Sequence, residues 1–215
     1  MKRHAITTLA LTLCTAPMAA AQEPGLIVAG QALPPAGAAY KGEGPHLFFD
    51  GHVALPCGSH GHFSSAVEPP RRIGATVVAD YTATFLGEVS LEPPVVATPV
   101  THALAVQARM VERITLASSR GGTRVFDTEM TTLDLQGSDM PPGILVRESP
   151  TKSSTGRYVI AAVRHRYRVE SYFDVWLEIS LDGGRSWHLA QAPVRMWLEP
   201  DAAEDLPAER LRAGS

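Results

Sequence analysis

From Ile73 to Ser90 apolar and polar residues alternate. Ile73, Ala75, Val77, Ala79, Tyr81, Ala83, Phe85 and Val89 fall on one parity, and Thr76, Asp80, Thr82, Thr84, Glu88 and Ser90 on the other. Side chains of a strand point to opposite faces in turn, so this period of two predicts a strand with one buried and one wet face. Ordinary strands run to about 5–6 residues, so a run of this length is expected to bend or split near Asp80. Leu104, Val106, Ala108 and Met110 alternate in the same way with Ala105, Gln107, Arg109 and Val111. Residues 125–135 are rich in Thr and apolar side chains, between Gly121-Gly122, a hairpin-turn pair, and Gly137. Residues 144–147 and 158–163 predict shorter strands.

The clearest alternation covers residues 165–180. His165, Tyr167, Val169, Phe173, Val175, Leu177 and Ile179 share one face, and Arg166, Arg168, Glu170, Tyr172, Asp174, Trp176 and Glu178 share the other. Residues 194–198 are expected to close the sheet. No interior window carries a helical period; only 202–212 has the pattern of a short, exposed helix. Many strands at short spacing, broken by Gly and Pro, predict an all-β fold. The expected form is an antiparallel β-sandwich over 71–199, with a partly open β-barrel as the alternative. Residues 22–70, rich in Gly, Pro and His, read as an irregular segment with short strands at 26–28 and 47–49. Residues 200–215 read as a polar tail.

Composition changes this picture little, but the first 21 residues change it a good deal. Lys2, Arg3 and His4 precede a short apolar run over 5–14, and Ala19-Ala20-Ala21 offers a small-residue cleavage site before Gln22. This is the pattern of a secretory signal peptide, and the expected product is an exported chain, periplasmic or extracellular. Acylation of Cys14 is the weaker alternative, since Leu13 stands where a small residue would precede a lipidated cysteine. The apolar run falls short of the about 20 residues a spanning helix needs, so no membrane span is expected once the signal is removed. Losing Lys2 and Arg3 takes the net charge from −3 to −5, no footprint for nucleic acid. Cleavage also leaves Cys57 as the one thiol, so no disulfide within the chain is expected.

Ser180-Leu181-Asp182-Gly183-Gly184-Arg185-Ser186-Trp187 has the form of an Asp-box, with Ser186 in the Thr position. Asp182 is expected to bond its own backbone two residues on, Gly183-Gly184 to take positive φ, and Trp187 to pack back on the hairpin. Sialidase propellers repeat this motif over about four or more blades; one copy excludes that architecture. The hairpin residues Ser180, Asp182, Gly184 and Trp187 are therefore read as structural.

A longer set of motifs carries a resemblance. Phe126-Asp127-Thr128-Glu129-Met130, Arg147-Glu148-Ser149-Pro150-Thr151, Ser154-Thr155-Gly156, Ser171-Tyr172-Phe173-Asp174-Val175-Trp176 and the Asp-box hairpin follow in order. Over about residues 73–198 the chain resembles a bacterial exported domain of unassigned activity, common in proteins bearing the PEP-CTERM sorting signal. The resemblance implies a surface or secreted β-rich domain and carries over no catalytic residue. The chain departs from the pattern at its end, where Glu199-Pro200 is followed by Asp201, Glu204 and Asp205 in place of an apolar helix and basic tail. A soluble exported form is expected.

Three chemistries were weighed. His46, His52, Cys57, His60 and His62 bring imidazole and thiolate, which suit zinc or copper, into one Gly-rich stretch. Their spacing matches no standard finger, so no cofactor is the first expectation and zinc or copper the alternative. His60 and His62, two apart, would face one way on a strand. Glu170, Asp174 and Glu178 share a strand face, but neighbours four apart lie about 13 Å from each other. A glycosidase pair needs about 5–9.5 Å, so these acids are expected to pair with arginines such as Arg164, Arg166 and Arg168. Gly-x-Ser-x-Gly, His-Glu-x-x-His and phosphate-loop motifs are absent from the sequence. Tyr172 and Trp176 form a candidate ligand face, since exposed aromatic rings stack on sugars. The expectation is a non-catalytic structural or interaction module, its partner an envelope protein or a glycan.

Overall fold

The alternating run from Ile73 does not split. In the computed structural model, which describes residues 25–56, 58–91 and 100–200, it forms one strand of 16 residues, with Ala79, Tyr81, Ala83, Phe85 and Val89 buried. The signal segment with Cys14, Cys57, and the tail 202–212 lie outside the described residues. Along the chain the strands are β1 (Leu26–Val28), β2 (Ala38–Gly42), β3 (His46–Phe48), β4 (Val53–Leu55), β5 (Ser59–Gly61), β6 (Thr76–Leu91) and β7 (Val100–Arg120). They continue with β8 (Thr123–Gln136), β9 (Leu145–Glu148), β10 (Ser154–Val163), β11 (Arg166–Val175), β12 (Leu177–Ser180), β13 (His188–Leu189) and β14 (Val194–Pro200). Among the described residues the only helical element is a 3-10 turn at Phe49–Gly51. None is a helix long and apolar enough to cross a membrane.

The strands do not form two facing sheets. β8 pairs with β10, β10 with β11, β11 with β14, β14 with β2, β2 with β5, β5 with β6 and β6 with β7. β7 then returns to β8, and every pairing is antiparallel. The ring is a closed barrel of eight staves, which corrects the expected sandwich in favour of a barrel, and one that is closed. The cause lies in the long strands. β6 and β7 stay in register from Thr76↔Thr115 to Leu91↔Val100, while β7 and β8 slip at two bulges, at Thr131 and Ala117. Bulges increase local twist and coil a ribbon, and a coiled ribbon closes on its own far edge. Closure removes the unpaired edges a sandwich would leave.

Two of the eight staves, β2 and β5, come from the Gly- and Pro-rich stretch, where only short strands at 26–28 and 47–49 were expected. The remaining strands lie outside the ring. β9, β12 and β13 extend from β8, β4 and β3 from the far end of β6, and β1 covers the half of β11 that β14 leaves free. The segment 165–180 breaks at Trp176, because β11 stays in the barrel while β12 leaves it to pair with β9. All of Leu177, Glu178, Ile179 and Ser180 are buried there, so the predicted wet face ends at the break. Gly121-Gly122 forms the two-residue β7–β8 hairpin, both residues at positive φ (57° and 80°), as the twist of paired strands favours.

An eight-stranded barrel has an interior just wide enough for side chains to fill. Phe126, Tyr158, Phe173, Ile114, Leu116, Leu133 and Ile160 are fully buried. The bulge at Thr131 changes which parity points inward on β8, from Phe126, Thr128 and Met130 to Leu133 and Leu135. Two polar centres interrupt this apolar packing.

Candidate functional site

The first centre is a pair of histidines. His46 opens β3 opposite Leu55, and His60 sits in the middle of β5 between Tyr40 on β2 and Phe85 on β6. They are 7% and 3% exposed, and the Nδ1 of each is buried without a hydrogen-bond partner. Both line a cavity of about 20 Å³ with Leu135, Val175, Leu177 and Met196, room for about one water molecule. Burial pushes the His46 imidazolium down to about 3, helped by repulsion from His60, and burial pushes His60 down to about 4. Both rings are therefore neutral near pH 7. The Phe85 ring, 4.9 Å from His60 between centroids, closes one wall. It lies so close to Gly58 that a Cβ there would collide with it, which explains a glycine at this point.

Of the four described histidines among the predicted metal ligands, His46 and His60 come together and His52 and His62 do not join them. His52 caps the 3-10 turn, donating its backbone N–H to Phe49 at 3.1 Å, and its side chain is exposed. His62 is exposed as well, because β5 ends at Gly61 and His62 takes a left-handed φ of 51°. The two-residue spacing of His60 and His62 consequently does not place them on one face. His62 borders a separate cleft of about 490 Å³ beside Pro34, Phe63 and Ser65. Cys57 lies outside the described residues. Among the described residues no three His, Asp or Glu side chains form a metal-binding group.

The second centre was not foreseen. Glu112 falls on the apolar parity of β7, between Met110 and Ile114, and is fully buried. Its Oε2 accepts hydrogen bonds from Tyr81 (2.9 Å) and Tyr158 (3.3 Å), while Oε1 is unpaired. Burial pushes its carboxyl up to about 8 against the opposing pull of both tyrosines and the Thr128 hydroxyl. That hydroxyl makes no hydrogen bond of ordinary geometry. Burial and the nearby Glu112 raise Tyr81 and Tyr158 well above the usual phenol range. Tyr40 donates to Ser171 at 2.9 Å and packs edge-on against Phe173, joining this network to the stave that carries His60.

On the outer wall the ring that meets Tyr172 is Trp197, its cross-strand partner, 5.4 Å away between centroids. Arg195 lies over Tyr172 at 4.4 Å and forms a two-pronged ion pair with Asp174 (2.8 and 2.6 Å). The Trp197 indole N–H donates to Glu43. Trp176, proposed with Tyr172 as one ligand face, stands instead at the exit from the barrel, its ring under Lys152 (5.6 Å) and its backbone N–H on Ser154 (2.9 Å). Trp197 and Arg195 escaped notice in the sequence, although they occupy the outward parity of β14 between buried Val194, Met196 and Leu198.

The acids of the 165–180 segment are occupied by arginines. Asp174 pairs with Arg195 and Glu178 with Arg147, both across strands, whereas Glu170 pairs with Arg168 on its own strand. Glu178 also accepts from Ser149 at 3.0 Å. The half-buried Glu148 is pushed up to about 7, first by burial and further by Glu129 and Glu178, against hydrogen bonds from Ser154. The Asp-box folds differently in detail from expectation. Ser180 Oγ accepts from the Asp182 and Gly184 backbone N–H groups. Asp182 reaches four residues on, accepting from the Ser186 N–H (2.9 Å) and hydroxyl (2.6 Å). Those bonds hold its carboxyl down at about 2. Gly183 and Gly184 have positive φ, and the Trp187 ring is covered by Arg147 at 3.8 Å. Compared with known protein families, curated proteins and solved structures, the chain matches none.

Proposed function

We propose that this chain is an exported, non-catalytic interaction module of the bacterial envelope or extracellular space, and that it works through its outer wall. One observation carries the reading. The inward positions of the staves are taken up by side chains, and the void lined by His46 and His60 is about 20 Å³, too small for an organic ligand. The signal-like start, and the resemblance of residues 73–198 to exported domains, support the location.

The partner class that fits the wall is a saccharide. Tyr172 and Trp197 offer two half-buried rings with the Arg195 guanidinium over both (4.4 and 5.5 Å to the centroids), and Asp174 and Glu43 beside them supply acceptors. Polar groups beside aromatic faces match the alternating hydroxyl and C–H surface of a sugar ring. Tryptophan emission of the purified chain, titrated with polysaccharides from the producing cell's envelope, is expected to change saturably. Trp197→Ala should abolish that change without altering the far-ultraviolet circular dichroism. Emission that responds to none of these polysaccharides would remove the saccharide. Recovery of uncleaved chain from the cytoplasm, with no product starting at Gln22 by mass spectrometry, would remove the exported location.

A further inference from the structure

The two buried histidines have a third neighbour. Met196 sits on the inward parity of β14, between Val194 and Leu198, and lines the same cavity as His46 and His60. β3 and β5, close in sequence, and β14, far along the chain, thus bring two histidines and a methionine to one void of about 20 Å³. We infer that His46, His60 and Met196 bind a single copper(I) ion inside the wall of the barrel.

The chemistry of the surroundings selects the ion. A buried nitrogen without a hydrogen-bond partner is costly in a native structure, and here two occur together. Coordination by a metal supplies what the protein withholds from them. Among the described residues the cavity wall holds no carboxylate, amine or guanidinium. A divalent ion such as zinc would carry its charge uncompensated into an apolar site, and the solvation cost of an ion grows with the square of its charge, about fourfold from one charge to two. Zinc also prefers four nitrogen, oxygen or thiolate ligands. A singly charged soft ion with a preference for thioether and imidazole fits all three ligands and the apolar wall. The cavity admits about one small guest, so the expected stoichiometry is one ion per chain.

The test uses the full chain with Cys14→Ser and Cys57→Ser, so that no thiolate contributes. Titration with copper(I) under anaerobic, reducing conditions against a coloured copper(I) chelator is expected to show one ion retained. X-ray absorption at the copper edge should show nitrogen and one sulfur neighbour. Met196→Leu should remove the sulfur signal and weaken binding about tenfold, and His60→Ala should abolish retention. Where the alanine variant fails to fold, His60→Gln takes its place, and where the cysteine-free chain fails to fold, the loss of one sulfur neighbour between the wild-type chain and Met196→Leu decides. No copper retained by a folded chain, meaning a cavity that holds water only, would overturn the site. So would copper held equally well by the His46→Gln, His60→Gln pair, or zinc bound one-to-one in preference to copper(I).

Discussion

Glu112 on one stave, and the pair formed by His60 on another and His46 on a strand outside the ring, are kept uncharged by the same force. Burial disfavours the ionised form of each, which moves the acid upward and the bases downward. They differ in what surrounds the polar atoms. The acid receives two tyrosine hydroxyls on one oxygen, whereas Nδ1 of each histidine receives nothing. The acid is thus anchored through Oε2 while its Oε1 stays unpaired, whereas neither Nδ1 has any partner, and exposure alone would not tell the two centres apart.

The sharpest way to break the contrast is to strip the acid of its donors. Tyr81→Phe with Tyr158→Phe should leave Glu112 as unsatisfied as the histidines and cost about 4 kcal/mol in urea unfolding. A loss below about 1 kcal/mol would mean that the tyrosines do not support the carboxyl. Gly58→Ala attacks the other centre by forcing the Phe85 ring from its place beside His60. The expected cost is about 1–3 kcal/mol. An unchanged midpoint would show that the wall yields freely.

The pH profile separates the centres without mutating either. The histidines stay neutral in the fold down to about 3 and 4 but protonate near 6.5 when unfolded, so their stabilisation is present above 6.5 and is lost as pH falls. Glu112 keeps its proton in the fold up to about 8 and loses it near 4.5 when unfolded. Its contribution is complete below 4.5 and drains away as pH rises toward 8. Each group has a slope of about 1.4 kcal/mol per pH unit. Glu148 acts in the same direction as Glu112 but is half exposed and therefore screened. Stability from these groups should peak near pH 6.5. Glu112→Gln should flatten the alkaline side, and His60→Gln the acid side. A maximum unmoved by both substitutions would separate neither centre from the rest of the chain. The smallest effect is expected outside the barrel, at the Asp-box. Asp182→Asn should lower the melting temperature slightly at pH 7, and its gap to the wild type should close as pH falls toward 2, where Asp182 gains its proton. A gap constant with pH would assign the loss to shape alone.

Much of the barrel was legible in local pattern. The period of two in 76–90 and 104–110 identified two staves and their inward faces, although Ile73, on the same parity, is exposed in the turn before β6, and Gly121-Gly122 marked the hairpin. Closure was not legible, because it depends on Ala38–Gly42 meeting Val194–Pro200, a pairing that no short window encodes. The bulge at Thr131 shifted the inward parity of β8 in the same hidden way. Glu112 did leave a signal, an acid on an otherwise apolar parity. The histidine cluster was visible as composition, but the turn at His62 and the exposure of His52 depend on backbone geometry. Met196 lay in a stretch expected only to close the sheet, and its position beside the histidines became visible only in three dimensions.

The seam between β2 and β14 joins Tyr40 to Leu198, nearly the two extremes of the described chain. A growing polypeptide therefore holds an unfastened cylinder until its last stave is made, and the long loop such a contact closes makes the step slow. Assembly is completed late and all at once. A chain that fastens last stays loose through most of its synthesis and becomes rigid only once the final stave is in place.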